Sequence, residues 1–128
     1  MNVSGNTPEA IEYTPTVTGF STTTVEEGHY TLVGKLCTLT LLVSGTSNAT
    51  TFTVTLPFAA DDTKLGGAPN GKYSAMVHIT NNGTNASGWL RSRTGSSNIA
   101  DVYATAAGGA WTASGTKELG GTFIYYIV

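Results

Sequence analysis

The chain has 128 residues, a net charge of −2, and only 11% charged side chains against 40% hydrophobic ones. That length makes one domain, able to bury roughly two-thirds of its unfolded surface, while the charged share falls far below the usual ~25%, so the surface must be built from Thr, Ser, Asn and Gly. The absence of a basic stripe argues against nucleic acid as a partner, and no segment approaches the roughly 18 apolar residues of a membrane-spanning helix.

In chain order, residues 1–12 are polar and weakly patterned, and read as a linker or the end of an upstream region; residues 13–128 form the domain. Residues 13–20 look extended, with Pro15 confining that strand to a sheet edge or its start. Residues 21–28, carrying Glu26 and Glu27, read as a loop. Residues 29–33 and 35–43 flank Gly34 and predict a β-hairpin with a tight turn at Gly34-Lys35. In that register Leu32 meets Cys37 and Tyr30 meets Leu39 on one face, while Thr31 meets Thr38 and His29 meets Thr40 on the other. Cys37, the sole cysteine, allows no internal disulfide and reads as a small buried hydrophobe. Beyond Thr40, Leu41-Leu42-Val43 is apolar on both faces.

Residues 51–56 alternate strictly, with Phe52, Val54 and Leu56 facing a core and Thr51, Thr53 and Thr55 facing away. Pro57 then stops ladder donation. A long connection follows, with Asp61, Asp62, Gly66, Gly67, Pro69 and Asn70. Alternation resumes at residues 73–80, with Tyr73, Ala75, Val77 and Ile79 inward. Residues 81–85 form a turn cluster. Residues 89–93 and 99–103 predict a second hairpin that sets Trp89 opposite Tyr103, Leu90 opposite Val102, and Arg91 opposite Asp101 as an ion pair. Residues 106–110 are a small-residue loop. The closing strand, 120–128, is apolar on both faces, with Phe123, Tyr125 and Ile127 on one and Ile124, Tyr126 and Val128 on the other.

About eight short strands with turn-rich spacings predict an all-β, antiparallel β-sandwich or jelly roll. The two strands apolar on both faces, 39–43 and 122–128, predict a sheet whose outer face is covered by further copies of the chain, hence a homotrimer.

The chemistry in the sequence points to binding. Asp61 and Asp62 adjoin in a loop, where neighbouring side chains diverge; His29 and His78 share no metal-ligand spacing; no serine occupies a nucleophile elbow. The expectation is a non-enzyme without metal or cofactor. Carbohydrate recognition combines aromatic faces that stack on sugar rings with amide, hydroxyl and guanidinium groups that bond their hydroxyls. Trp89, Tyr103, Trp111, Asn82, Asn85 and Arg93 are the candidate ligand-binding residues, with Arg91 assigned to Asp101. Loops 58–72, 81–88, 94–98 and 105–116 are the candidate contact loops.

Four phrases carry a family likeness: Tyr13-Thr-Pro-Thr-Val-Thr-Gly-Phe20, His29-Tyr-Thr-Leu-Val-Gly-Lys-Leu36, Ser47-Asn-Ala-Thr-Thr-Phe-Thr-Val-Thr-Leu-Pro57 and Gly115-Thr-Lys-Glu-Leu-Gly-Gly-Thr-Phe-Ile-Tyr125. Over residues 13–126 the chain resembles the distal, receptor-binding domain of tailed-bacteriophage tail fibres. The resemblance implies a homotrimer at the virion's fibre tip, joined through residues 1–12 to an upstream shaft, that adsorbs the phage to bacterial surface polysaccharide or another host receptor. It carries over no binding residue, because the shared phrases are framework strands. The alternatives are a trimerisation and folding cap without a ligand of its own, an enzyme that cuts capsule, and a C1q- or TNF-like trimeric binding domain.

Overall fold

The computed structural model describes residues 9–65, 73–95 and 97–128. Most of the expected 1–12 linker, the 66–72 part of the expected contact loop, and Ser96 lie outside the described residues. Nine strands are present among them: β1 (Ile11–Tyr13), β2 (Val17–Thr18), β3 (Phe20–Val33), β4 (Leu36–Ser47), β5 (Phe52–Thr55), β6 (Ser74–Asn81), β7 (Thr84–Ser92), β8 (Ile99–Tyr103) and β9 (Thr116–Tyr126), with one 3-10 turn at Asp62–Leu65. They form one hydrogen-bonded sheet in the order β1-β3-β4-β9-β6-β7-β8-β5-β2, antiparallel at every pairing.

The sheet curls because its two ends are tied together. β1 pairs with β3 at one end of the order and β2 with β5 at the other. Only Thr14-Pro15-Thr16 separates β1 from β2, a reach of at most about 14 Å. Across that gap Tyr13 Oη donates to the Thr55 carbonyl at 3.2 Å, and Thr55 N donates to the Thr16 carbonyl at 3.0 Å. Strands from opposite ends of the order therefore share one interior. Phe20 of β3 packs on Phe52 of β5 at 4.5 Å between ring centroids, and Phe52 packs in turn on Trp111 at 5.3 Å. Leu39, Val54, Ile79, Leu90, Leu119, Phe123 and Tyr125 belong to the same core.

Two turns set the main hairpins. Gly34 adopts φ 61° between β3 and β4, and the expected pairing of Leu32 with Cys37 and Tyr30 with Leu39 holds. Asn82 and Gly83 adopt φ 51° and 81°, the double left-handed geometry of a two-residue hairpin turn. β7 consequently starts at Thr84, so residues 84–88, expected in a contact loop, are strand.

Three further expectations are corrected. Residues 21–28 are not a loop but the first half of β3, paired with β4 through register shifts between Phe20 and Thr22 and between Thr23 and Val25. Bulges of this kind let a polar, twisted segment stay in a ladder. The extended stretch 13–20 is broken at buried Pro15 into the end of β1 and β2, and β1 itself begins at Ile11. Proline cannot donate to the ladder, and here it marks the point where the chain crosses from one sheet edge to the other.

The two strands apolar on both faces are direct neighbours. β4 pairs with β9, setting Leu36 opposite Tyr126, Thr38 opposite Ile124 and Leu42 opposite Gly120. Cys37, Leu39, Phe123 and Tyr125 point into the core, whereas Leu42, Ile124 and Tyr126 point outward at 40%, 54% and 43% exposure.

Candidate functional site

The outward face of β7 carries Trp89 and Arg91. β6 sets Met76 opposite Trp89 and Ser74 opposite Arg91; β8 sets Tyr103 opposite Trp89 and Asp101 opposite Arg91. The β7–β8 ladder is the one the sequence predicts, but the side chains lean across it. Trp89 donates its indole N–H past Tyr103 to the carbonyl of Ala106, at 2.6 Å. The Arg91 guanidinium lies over the Tyr103 ring, 5.8 Å from its centroid, rather than on Asp101. Arg93 takes Asp101 instead, with Nη2 at 2.7 Å from Oδ1 and Nε at 3.1 Å from Oδ2. Twist between neighbouring strands brings such diagonal pairs within reach of long side chains. The expected Arg91–Asp101 ion pair is therefore an Arg93–Asp101 pair, whose hydrogen bonds raise the arginine's pKa further. The two arginines exchange roles: Arg93 is held by Asp101, and Arg91 is the one presented.

Beyond β8 the chain folds into a tight loop. Ala104 N donates to the Gly109 carbonyl and Gly108 N to the Thr105 carbonyl, each at 2.9 Å. The Thr105 hydroxyl accepts from Gly109 N, also at 2.9 Å. Gly108, at φ 79°, supplies the left-handed residue that this loop needs. The loop makes one wall of an open cleft of about 410 Å³, lined by Ser74, Trp89, Arg91, Tyr103 and Ala106 to Gly108. A smaller depression of about 210 Å³ adjoins it, sharing Tyr103 and Gly108 and reaching Thr50, Thr51 and Asp101. Gly88 allows this corner to close, because a Cβ there would stand 2.1 Å from the Tyr103 carbonyl oxygen and 2.6 Å from Ile79 Cγ1.

The other expected site residues are elsewhere. Trp111 is a core residue at 3% exposure; its indole N–H donates to the Val102 carbonyl at 2.9 Å, so it offers no ring face to a ligand. Asn82 is part of a buttress. Its Oδ1 accepts from Lys117 Nζ at 2.9 Å and its Nδ2 donates to Thr112 Oγ1 at 3.2 Å. Lys117, almost fully buried, also donates to Thr112 Oγ1 and to the Ser114 carbonyl, at 2.8 and 2.7 Å. Burial pushes its pKa down. This network fastens the β6–β7 turn to the loop before β9 and holds it as scaffold. Asn85 accepts from Thr80 Oγ1 at 3.0 Å, out on the strand and away from the residues of the cleft. Of the six candidates, Trp89 and Tyr103 share the cleft, and Arg93 holds Asp101, which lines the adjoining depression; Trp111, Asn82 and Asn85 do not join them.

Asp61 and Asp62 diverge. Asp61 Oδ1 accepts from Thr63 N at 3.1 Å, while Asp62 turns inward and accepts from Gly95 N at 2.6 Å. His29 lies 3.5 Å from Glu12, and His78 is 3.2 Å from Thr80 Oγ1.

Sequence reasoning missed Ser74 and gave Arg91 to Asp101, whereas the wall of residues 106–108 falls within the expected contact loop 105–116. Ser74 and Arg91 were legible in part: once the hairpin registers are drawn, both fall on the same outward face as Trp89. Which part of that loop forms the wall had no signal, since Ala106-Ala107-Gly108 carries no polar side chain. Comparison with protein-family models, with curated proteins and with solved structures finds no match for this chain.

Proposed function

We propose that the chain is a carbohydrate-binding tip domain of a tailed-bacteriophage tail fibre, which adsorbs the virion to bacterial surface polysaccharide through the Trp89–Tyr103 cleft. The observation that carries this reading is the combination in one open cleft of two half-buried aromatic rings, a guanidinium and a hydroxyl. Aromatic faces bury the apolar side of a sugar ring, and the polar groups fix its hydroxyls. The site is shallow, which suits an internal stretch of a polymer better than an enclosed small molecule. The adjoining depression beyond Tyr103 lengthens it for a second sugar unit. The sequence resemblance to fibre tips supplies the biological setting.

A homotrimer belongs to the same proposal. The outward apolar side chains of β4 and β9, with Val33 at 64% and Val128 at 61% exposure, form a face that other copies would cover. Three copies per fibre would multiply weak binding at each cleft. The second reading, a trimerisation and folding cap without its own ligand, is favoured by that same face and owes nothing to the cleft.

One experiment separates them. Purified chain and its Trp89→Ala variant are applied to an array of bacterial glycans, and their mass is measured by light scattering. A trimer that binds glycans, with binding lost in Trp89→Ala, is expected. A trimer that binds none supports the cap, and a monomer at micromolar concentration contradicts the covered β4–β9 face.

A further inference from the structure

We infer that the glycan bound in this cleft is anionic, and that Arg91 is the residue that reads its charge. The inference rests on the carbohydrate-binding reading and adds the ligand class to it. In a chain with few charges, two cations and one anion cluster at this site, so Arg91, Arg93 and Asp101 leave a local surplus of one positive charge on a protein whose net charge is −2. The geometry decides where the surplus lies. Asp101 is already engaged by Arg93 through two guanidinium nitrogens, while Arg91 makes no ion pair and no side-chain hydrogen bond among the described residues. Its guanidinium is parked on the Tyr103 ring, an arrangement that orients the group without using its N–H donors.

The neighbours of Arg91 add to this. Ser74 stands directly across the ladder from it, and neither the Ser74 hydroxyl nor the Tyr103 hydroxyl has a hydrogen-bond partner among the described residues. A planar guanidinium with free donors beside two free hydroxyls matches a carboxylate or phosphate carried on a sugar ring, because a fork of N–H groups donates to either anion in bidentate fashion. Trp89 would take the ring face while Arg91 takes the charged substituent. A neutral sugar would leave the cation without a counter-charge and gain only ordinary hydrogen bonds.

The test is an array holding neutral glycans, uronate-bearing glycans and phosphate-bearing glycans, probed with the full chain and with Arg91→Gln. Arg91→Gln breaks no ion pair of the fold, and circular dichroism checks that it stays folded. Binding concentrated on uronate or phosphate glycans, and weakened about 10- to 100-fold in Arg91→Gln, is expected, since charge-assisted hydrogen bonds are of that strength. The two anionic arms show which group is read. Binding should also weaken as salt is raised. Preference for neutral glycans, or anionic binding that Arg91→Gln leaves intact, would overturn the inference while leaving carbohydrate binding in place. Binding to no glycan at all would overturn both.

Discussion

Trp89 and Trp111 make the same hydrogen bond and do opposite things. Each donates its indole N–H to a backbone carbonyl, Ala106 for one and Val102 for the other. Trp111 then disappears beneath Phe52 at 3% exposure, whereas Trp89 stays half-buried with its ring in an open cleft. The hydrogen bond serves orientation in both cases, and location decides whether the ring's area stabilises the fold or is left available. An interior built from Phe52, Trp111, Tyr125 and their neighbours should respond to perturbation as stability. The cleft should respond as binding.

The largest effect comes from ionising the interior. Burial raises the pKa of Tyr13, Tyr73 and Tyr125 above the ordinary 10.0 and that of Cys37 above the ordinary 9.0. Raised values mean that the unfolded chain loses these protons first as pH rises, so the folded state is fully supported below about pH 9 and loses stability above it. Urea denaturation at about pH 8 and again above pH 10 should show a falling midpoint, and an unchanged midpoint would contradict the burial of these groups.

Trp111→Ala should follow, at about 3–5 kcal/mol, the range for deleting a large buried aromatic. Chemical denaturation measures it. A loss under about 1 kcal/mol would place Trp111 with Trp89 as a surface ring and erase the contrast.

Gly88→Ala couples the two regions. The added methyl cannot fit against the Tyr103 carbonyl oxygen without moving β7 from β8, at a cost of about 1–3 kcal/mol. Because Trp89 is the next residue, glycan binding should fall along with stability. Retained binding in a destabilised variant would show that the cleft tolerates displacement of its own strand.

Much of this was legible in the sequence, and the failures have physical causes. The hairpin registers at residues 29–40 and 89–103 were readable because apolar and polar residues sort onto opposite faces, and a one-residue slip would mix them. Polar Thr22 to Glu27 gave no such sorting, so a bulged strand looked like a loop. The Asn-Gly pair at 82–83 is itself a two-residue turn signal, but the surrounding Asn and Thr concealed how early β7 resumes. The exchange between Arg91 and Arg93 was out of reach for a different reason. Register names the residue opposite, whereas strand twist and side-chain length choose the diagonal one. Trp111 was equally ambiguous, because its small-residue surroundings resemble those of a surface loop.

The smallest effect on stability tests that exchange. Arg93→Ala removes a half-exposed ion pair, and should cost no more than about 1 kcal/mol. It also frees Asp101, which stands opposite Arg91 in the ladder. With Arg91 then drawn to that carboxylate, binding of an anionic glycan should weaken although the fold is intact. Unchanged binding would mean that Arg93 has no part in keeping Arg91 available.

The most direct test of the central claim uses the two indole N–H resonances in a ¹⁵N–¹H correlation spectrum, assigned with Trp89→Phe. Titrating a glycan that binds on the array should shift the Trp89 resonance progressively and leave the Trp111 resonance where it stands. A titration that moves Trp111 and spares Trp89, or that moves neither while binding is observed, would contradict the placement of the binding site in this cleft.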